Sequence, residues 1–489
     1  MNAVHVIALE VSSSSAKCAL FSSKQGIIRT VERRLSADVT DGLTQDPDRM
    51  TAVALDTLRE LVSQIDVPVD AIGLSGTWHS LLLLDQDKLP LHRISTWADL
   101  QSAPTAAKAR QDKGFVQEFY HKTGCMAHAM YPLFKYWHLT KTSPELTCRA
   151  RYVSSQIEYL FLKLTGEQAV SRSSAAGSGF FNLHTLHWDQ ELLDLVGLSE
   201  EQLGNLDDAF YVGGLSAAAA QHVGLPSGTP VTVGMPDGAL NQVAVGGARQ
   251  GVMSFSVGTS GALRLALHEP ALPDEPSTWC YYLLDGFYLA GAATNATNNV
   301  EWFMRNFAGP DQDYTALGQA AAGVDPAKAP LFLPFIYGER CPGWGENRLG
   351  GFVGLKPHHG VAEMYYAVLE GILFNLYHCY EILAETAGEP AQILVSGGIM
   401  NSKSWLQMAS DIFGRELFTT GVKNDSTFGA ALVAAAAVSG GADALHELTA
   451  KITAAPACQP REVELTKLYR RRYDMYLDVY DSLATVRRY

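Results

Sequence analysis

Residues 231–267 read VTVGMPDGALNQVAVGGARQGVMSFSVGTSGALRLAL and lie close to the middle of the 489-residue chain. The β-branched run 231–233 predicts a short strand that ends at Gly234. Asp237 follows between a proline and a glycine, ahead of a helical stretch of small residues. An acid on such a strand-to-helix turn is well placed to accept the proton of a reacting hydroxyl.

A hairpin follows the helical stretch. Its predicted strands, 253–257 and 263–265, are joined by the turn GTSG at residues 258–261. Hydroxyl residues between two glycines at a hairpin tip can offer backbone N–H groups and side-chain oxygens to a phosphate. The acid and the hairpin are each a weak signal, but together they indicate phosphoryl transfer.

The start of the chain repeats this hairpin. VSSSSAKCAL, from residue 11, matches VGTSGALRLA, from residue 257, so the copies are offset by 246 residues, about half of the chain. Two similar strand–turn–strand units, one opening each half, predict a duplicated domain with a cleft between the copies. The alternative is two ordinary hairpins with Ser and Gly turns. Their pairing favours a phosphate site built from both turns.

Length and composition limit the class of protein. A chain of 489 residues is too long for one core, which predicts two domains of about 200–250 residues. The formal net charge of −14 argues against nucleic-acid and anionic-membrane partners but leaves an anionic substrate open. Seven cysteines without a CxxC motif indicate reduced thiols. Because neither a signal peptide nor a membrane-spanning run is recognisable, we expect a cytoplasmic protein.

Two strand ends in the first half carry candidate substrate residues. The predicted strand 71–75 leads into Trp78 and His79, and the segment ISTWAD at 94–99 places Trp97 beside Asp99. Strand ends are the usual edge for a site in α/β proteins, and carbohydrate sites combine an aromatic face with a carboxylate. The alternatives are a packed or surface histidine, a tryptophan in the core and an aspartate that caps the next helix.

Three segments of the second half are distinctive. The glycine-rich loop 338–351 is charged, and residues 363–385 predict one long helix that is apolar on most faces and therefore buried between layers. The strand 393–395 ends in Ser396, Gly397 and Gly398. A bare backbone at this point lets a flat ligand such as adenine approach closely, although two glycines that only form a turn are the commoner case.

With these segments in view, the sequence resembles the FGGY carbohydrate kinases over essentially its whole length. GGFVGL at 350–355, followed after seven residues by EMYYAVLE at 363–370, satisfies the family's second signature. MYPLFK at 130–135 resembles the start of the first signature, with the tryptophan one position early at Trp137. GMPDG at 234–238 is similar to the family's catalytic-base loop, SVGTSG at 256–261 to its second phosphate motif, and SGG at 396–398 to its adenosine motif.

This resemblance implies an α/β protein with two actin-like, ribonuclease-H-like domains that close on ATP and a sugar. The N-terminal domain, 1–247, would hold the sugar site and the first phosphate loop, and the C-terminal domain, 248–489, the second phosphate loop and the adenosine site. Asp237 would be the catalytic base. The implied substrate residues are Trp78, His79, Trp97, Asp99 and Asp237; the ATP residues are Ser13, Ser14, Lys17, Gly258, Thr259, Ser260, Gly397 and Gly398; and Glu10 and Asp237 would serve Mg²⁺.

Within the family, several stretches look most like bacterial gluconokinases. They are WHS at 78–80, ISTWAD at 94–99, FNLHTLHW at 181–188 and GERCPGW at 338–344. The resemblance therefore implies an ATP-dependent kinase that phosphorylates a primary hydroxyl of a small sugar acid, gluconate, and Arg340 or Arg348 is a candidate partner for the substrate carboxylate. It argues against an actin- or chaperone-like ATPase, and it leaves a homodimer open.

Five residues depart from the family pattern. Glu10 stands where the family has aspartate, and Ser12 stands where it has glycine, which predicts strain because serine resists backbone angles that glycine tolerates. Thr77 and Trp78 replace a Gln-Met pair, and Gln101 replaces an arginine. These departures keep two alternatives open: a pentulose kinase of the xylulokinase type, and a catalytically weak sugar or nucleotide sensor on the same fold.

Overall fold

The computed structural model describes residues 3–246, 248–309, 313–420, 426–483 and 486. In the first half, up to residue 246, the strands are β1 His5–Val11, β2 Ser15–Ser22, β3 Gly26–Arg34, β4 Thr44–Gln45, β5 Ala71–Gly76, β6 Leu82–Leu84, β7 Ile94–Ser95, β8 Tyr152–Ser154, β9 Ala169–Ser171, β10 Phe181–Asn182, β11 His187–Trp188, β12 Asn205–Asp207, β13 Val212–Gly214, β14 Pro230–Thr232 and β15 Met235–Pro236. The helices are α1 Pro47–Val62, α2 Ala103–Ala109, α3 Lys113–Thr123, α4 Pro132–Thr142, α5 Pro144–Arg149, α6 Gln156–Thr165, α7 Arg172–Ala176, α8 Gln190–Val196, α9 Ala217–Val223 and α10 Asp237–Ala244.

The second half begins at residue 248. Its strands are β16 Val252–Val257, β17 Ser260–Leu267, β18 Trp279–Leu284, β19 Phe287–Asn295, β20 Leu331–Leu333, β21 Gly351–Val353, β22 Gln392–Gly397, β23 Leu417–Thr419 and β24 Ala455–Cys458. Its helices are α11 Thr297–Phe307, α12 Tyr314–Ala322, α13 Val361–Ala387, α14 Lys403–Phe413, α15 Ser426–Ala437, α16 Ala442–Thr449 and α17 Val463–Ser482. Within the described ranges, no helix is both long and apolar enough to span a bilayer.

The two main sheets share one topology. In the first, β1 pairs antiparallel with β2 and parallel with β5, β2 pairs antiparallel with β3, and β5 pairs parallel with β14. In the second, β16, β17, β22, β19 and β23 occupy the places of β1, β2, β5, β3 and β14, with the same directions. The duplication predicted from the two hairpins is therefore confirmed, and each hairpin lies at the centre of its sheet.

The central strand β1 is buried on both faces, which explains its unbroken apolar run. Ile7 and Leu9 face a core formed with α1, α6 and α9, whereas Val6 and Ala8 face the larger core that both halves of the chain share. The predicted long helix is α13, and its apolar faces are buried in that larger core. The two-domain, actin-like α/β fold predicted from the sequence is the fold observed.

Helix α15 belongs to the second half in sequence but packs on the first sheet. It contacts β1, β5 and α10, and its residues 426–436 are all buried. A Cβ atom added to Gly429 would lie 2.1 Å from the carbonyl oxygen of Leu240 in α10. Only glycine allows the two helices to approach this closely. We propose that the domains divide at 247/248, with α15 returning to the first sheet; residue 247 lies outside the described residues.

Candidate active site

A cavity of about 190 Å³ lies between the two halves of the chain. One water molecule needs only about 10–15 Å³ on the same measure, so the cavity has room for a small ligand. The residues that line it are Trp78, His79, Trp97, Met130, Tyr131, Asp237, Gly238, Ser260, Arg264, Trp279, Tyr281, Ala293, Arg340 and Trp344. The predicted cleft is thus present, and candidates from both halves meet in it.

Asp237 is the first residue of α10 and lies on the cavity wall. Its Oδ1 accepts the Gly238 N–H at 2.6 Å. Burial raises the pKa of Asp237 to about 6, and the nearby charge of Glu10 adds to the increase, whereas Arg264 and the Gly238 N–H oppose it. A carboxylate with a pKa just below neutrality is largely ionised at pH 7 and still a useful proton acceptor, which suits a general base.

His79 follows β5 with a φ of 62°, a left-handed conformation that is uncommon for a residue with a side chain. Its Nδ1 lies 2.7 Å from the carbonyl oxygen of Gly177, and because a carbonyl only accepts, Nδ1 carries the proton. Burial lowers the pKa of His79 to about 3, so the ring is neutral. Its Nε2 is therefore a hydrogen-bond acceptor, as a sugar hydroxyl would require.

Lys135 joins the two strand ends that carry the sugar-side candidates. Its buried ammonium donates to the carbonyl oxygen of His79 at 3.2 Å and to that of Thr96. Burial lowers the pKa of Lys135 to about 7, and the charge of Asp99 opposes this shift. Lys135 therefore holds the backbone of His79 next to the segment that carries Trp97.

Trp97 and Asp99 have different surroundings. Trp97 is 37% exposed on the cavity wall, with the guanidinium of Arg340 5.4 Å from its ring centre. Asp99 is buried, and its Oδ1 accepts the Gln101 N–H at 3.1 Å in the turn before α2. Asp99 is not one of the described residues that line the cavity. The cap of α2 is Ser102, not Asp99, so the capping alternative is wrong, and the substrate role of Asp99 stays a prediction.

Two arginines of the second half point their charge into the cavity. Arg264 Nη1 donates to Ser256 Oγ at 3.4 Å, and Arg340 Nη1 donates to Ser260 Oγ, also at 3.4 Å. Neither arginine has a carboxylate within 4.0 Å among the described residues. Arg348, the other candidate in the loop 338–351, turns away and contacts the ring and carbonyl of Tyr480.

The loop 338–351 is anchored to the first half by a salt bridge. Arg110 Nη1 donates to Glu346 Oε1 and Arg110 Nη2 donates to Glu346 Oε2, each at 3.0 Å. His128 lies beside this pair, with Nε2 3.4 Å from Glu346 Oε1, and its Nδ1 accepts the Met130 N–H. Burial and the charges of Arg110, Arg340 and Lys135 lower the pKa of His128 to about 3, so it is neutral despite its acidic neighbour.

The predicted first phosphate turn, between β1 and β2, is closed by Ser12. Its Oγ accepts the N–H groups of Ser14 and Ser15 at 3.2 and 2.9 Å. Ser12 is not among the residues with a positive φ, so the predicted backbone strain is wrong. Ser13 is half-buried and Ser14 is exposed at the tip of the turn.

Glu10 lies at the end of β1, where its carboxylate joins the two halves. It accepts the hydroxyl of Ser426 at 2.6 Å and that of Thr427, both from the start of α15. Lys17, opposite Glu10 on β2, places Nζ 3.3 Å from Glu10 Oε2. Lys17 is thus next to the turn and is paired with Glu10, and its role in ATP binding stays a prediction.

The predicted second phosphate turn, at 258–261, lies between two cavities. Ser260 lines the smaller one, while the carbonyl oxygens of Gly258 and Thr259 accept N–H groups at the start of α11. The donor to Gly258 is Thr297, at 2.9 Å, which lines a second cavity of about 760 Å³. The side chain of Thr259 is exposed at the tip.

The larger cavity has the size of a nucleoside site. Its lining includes Gly398, three aromatic side chains and several hydrogen-bonding groups, among them Tyr314, Tyr365, Trp405, Glu301, Asn401 and Ser402. Gly397, with a φ of 88°, pairs with Val257 of β16, and a Cβ added to it would lie 2.5 Å from the Val257 carbonyl oxygen. The double glycine therefore places the cavity directly beside the second phosphate turn.

Comparison with known proteins settles the family. Residues 5–244 match the N-terminal domain of the FGGY family of carbohydrate kinases, and residues 253–438 match its C-terminal domain. The chain belongs to the FGGY carbohydrate kinases. It is 28% identical to the gluconokinase of Bacillus licheniformis, over 98% of this chain and 96% of that protein. It is an ATP-dependent sugar kinase.

Two similar sugar-kinase structures each cover 99% of this chain and are themselves covered to 99%. The gluconate kinase from Lactobacillus acidophilus has a TM-score of 0.94 and 28% identity. The ligand-bound xylulose kinase from the same organism has a TM-score of 0.93 and 29% identity. These values are nearly equal, so overall similarity does not decide which sugar this FGGY kinase phosphorylates.

Sequence reasoning about this FGGY kinase missed part of the cavity wall. Trp279 and Tyr281 of β18 stack with their ring centres 4.5 Å apart, and the Tyr281 hydroxyl lies 2.7 Å from that of Tyr131 in the first half. Arg264 was also missed. A signal for it existed, because it is a charged residue in the apolar strand β17, between the buried Leu263 and Leu265.

Proposed function

We propose that this kinase transfers the γ-phosphoryl group of ATP to the terminal primary hydroxyl of a six-carbon sugar acid, gluconate or a close relative. The observation that supports this substrate is the charge of the cavity. Asp237 is the acid among its lining residues, whereas Arg264 and Arg340 are both cationic. The charge of Arg264 is partly balanced by Asp237, whereas Arg340 is half-buried and has no carboxylate within 4.0 Å among the described residues. A half-buried cation of this kind favours an anionic ligand.

Arg340 is the residue that would bind the carboxylate. Its charge lowers the pKa of His79 and of His128, so it lies on the sugar side of the cavity. The carboxylate and the terminal hydroxyl are at opposite ends of an aldonate. With the hydroxyl at Asp237, the carboxylate would reach the wall formed by Arg340 and Trp97.

In the proposed reaction, Asp237 accepts the proton of the hydroxyl as its oxygen attacks the γ-phosphorus. His79 Nε2 would orient a further hydroxyl, and the turns around Ser13, Ser14, Gly258, Thr259 and Ser260 would hold phosphate oxygens. Positioning and charge neutralisation provide most of the catalysis in phosphoryl transfer.

Mg²⁺ fits the acids that are present. The charge of Glu10 raises the pKa of Asp237, so the two carboxylates are close enough to repel each other and a cation near both would relieve the repulsion. Magnesium keeps several waters and needs only one or two carboxylates besides the phosphates. Glu10 and Asp237 would hold it, and when bound it would neutralise phosphate charge.

The test compares kcat/KM for gluconate and D-xylulose. We expect gluconate to be preferred, and Arg340→Met to lower its kcat/KM by roughly 10- to 150-fold, the worth of one charged hydrogen bond of about 1.5–3 kcal/mol. The value for xylulose, which has no carboxylate, should change little. Arg305→Met, at an exposed position, is the control.

A pentulose is the second candidate substrate. It is favoured by the likeness to the xylulose kinase from L. acidophilus and by Gln101. A wild-type preference for xylulose of about tenfold or more, which is 1.4 kcal/mol, would select this candidate and reject gluconate.

We also propose a cytoplasmic location and a small molecule, rather than a nucleic acid or a membrane, as the partner. The seven cysteines are free thiols, as a reducing compartment requires, and the net charge of −14 disfavours polyanions. Light scattering would establish whether the protein is a monomer or a homodimer, and salt-dependent retention on heparin would contradict the proposed partner.

A further inference from the structure

Arg264 lies between the candidate base and the second phosphate turn. It projects from β17, and its Nη1 donates to Ser256, which is two residues before Gly258. Its Nη2 lies 3.2 Å from the place where Gly238 would have a Cβ atom. The same Cβ atom would lie 2.7 Å from the ring of Trp78, so glycine at position 238 leaves room for both the Trp78 ring and the guanidinium beside Asp237.

The hydrogen-bonding capacity of Arg264 is only partly used. Its Nε is buried and has no hydrogen-bond partner among the described residues. A guanidinium carries five N–H donors in a fixed plane, a geometry that matches the oxygens of a phosphoryl group. Arg264 lines the cavity, so those of its donors that make no bond within the protein are available to a ligand there.

We propose that Arg264 is a catalytic residue of this kinase, which donates hydrogen bonds to the γ-phosphoryl oxygens while the group moves from ATP to the sugar. The proposal rests on the sugar-kinase reaction and on Asp237 as its base, and it does not depend on which sugar is used. Burial lowers the pKa of Arg264 to about 10, so the guanidinium keeps its charge at neutral pH.

The step balances without a further reactant. The hydroxyl oxygen forms a bond to the γ-phosphorus, and its proton passes to the Asp237 carboxylate. The bond from the γ-phosphorus to the β,γ-bridging oxygen breaks, and ADP leaves with the electron pair. Arg264 neither gains nor loses a proton. Its contribution is the preorganised charge that stabilises the phosphoryl oxygens in the transition state.

Arg264 and Arg340 have separate parts in this scheme. The charge of Arg264 acts on Asp237, at the reacting end of the cavity. Arg340 lowers the pKa of His79 and of His128 and lies over Trp97, at the sugar end, and its Nη1 also donates to Ser260 Oγ at 3.4 Å. Loss of Arg264 should therefore slow the reaction for every sugar, whereas loss of Arg340 should change which sugar is preferred.

The experiment measures kcat and the KM values of ATP and sugar for Arg264→Met and Arg264→Gln, once with gluconate and once with D-xylulose. Arg340→Met is the matched comparison. We expect kcat to fall roughly 10²- to 10³-fold, the cost of losing one preorganised donor, with both KM values within about threefold of wild type. In Arg264→Ala, added guanidinium ions at millimolar concentration should restore part of kcat, which a purely structural role would not allow.

Three results would overturn the proposal. They are a kcat within about fivefold of wild type in either folded neutral variant, a loss confined to the KM of the sugar, and a loss seen with gluconate but not with xylulose. The last result would make Arg264 a carboxylate ligand. If gluconate is not a substrate, the substrate proposal fails and the Arg264 variants are still measured with xylulose. Thermal unfolding of each variant identifies any that does not fold, and the other neutral variant then decides.

Discussion

Replacing Gly429 with alanine places a methyl group against the main chain of α10. The new Cβ would lie 2.1 Å from the Leu240 carbonyl oxygen, and real Cβ atoms essentially never come closer than 3.0 Å to such an atom. The two helices must therefore separate by at least 0.9 Å, the difference between these distances. Leu240 is three residues after Asp237 in the same helix, so the shift reaches the candidate base.

The expected loss is larger in rate than in stability. Overpacking of this kind costs about 1–3 kcal/mol, and alanine returns up to about 1 kcal/mol because it is a better helix former than glycine. A displacement near 1 Å at the reacting centre costs roughly 10²-fold in rate. We therefore expect a folded protein with a modest loss of stability and a kcat about 100-fold below wild type.

The assay couples ADP release to NADH oxidation, and thermal unfolding is measured on the same samples. Gly114→Ala is the matched control, because Gly114 lies in the first turn of α3, is exposed, and an added Cβ would meet only the Asp112 carboxylate at an ordinary 3.4 Å. Gly429→Ala with the kcat and melting temperature of Gly114→Ala would refute the packing argument and the link from α15 to Asp237.

Three further predictions concern single side chains. Asp237→Asn should lower kcat by roughly 10²- to 10⁴-fold, which is the usual contribution of a general base. Nucleotide binding, measured by calorimetry, should not weaken. Turnover within a few-fold of wild type would exclude Asp237 as the base. Glu370→Gln should lower the free energy of unfolding by about 3–5 kcal/mol, because it leaves the buried Arg472 without a charged partner. In the wild type, Arg472 binds the Glu370 carboxylate through Nε at 2.7 Å and Nη2 at 2.6 Å. Urea unfolding measures the loss, and an unchanged midpoint would contradict it. In the unfolded chain His128 takes up a proton below about pH 6.5, whereas in the folded chain its pKa is about 3, so the wild type should lose about 1.4 kcal/mol of unfolding free energy per pH unit relative to His128→Asn as the pH falls from 6.5 towards 3. Unfolding free energies at pH 7, 5.5 and 4.5 measure this, with the exposed His358→Asn as control. If the unfolding free energies of wild type and His128→Asn change with pH at the same slope, the prediction is wrong.

What the sequence predicted depended on how local the signal was. Both hairpins follow from alternating strands and Ser/Gly turns, so their places at the sheet centres could be predicted, and Asp237 could be placed on its turn. Arg340 and Arg348 are eight residues apart in one glycine-rich loop, and nothing local orients them. Tyr480, far along the chain, holds Arg348 away from the cavity.

Contacts that a side chain makes with other parts of the fold are also hard to predict from the sequence. Ser12 was expected to strain its turn, yet its Oγ accepts two N–H groups and its backbone avoids the left-handed region. Arg264 could not be predicted as a site residue, because the alternation of residues along a strand shows which side of the sheet a residue is on. It does not show which groups from other strands and helices lie next to that residue. Tertiary convergence of this kind is visible only in the folded chain.

Because α15 packs on the first sheet but lies in the second half of the sequence, the first domain cannot be completed during protein synthesis until most of the second half has been made. The helix that covers Val6 and Ala8 of β1 ends at residue 437, about 190 residues after the first half has left the ribosome. At 5–20 residues per second, translation of that stretch takes roughly 10 to 40 s. Throughout this interval the nascent sheet has one apolar face without its final helix. We therefore expect the isolated first half to aggregate or recruit chaperones, and a separately supplied second half to rescue it.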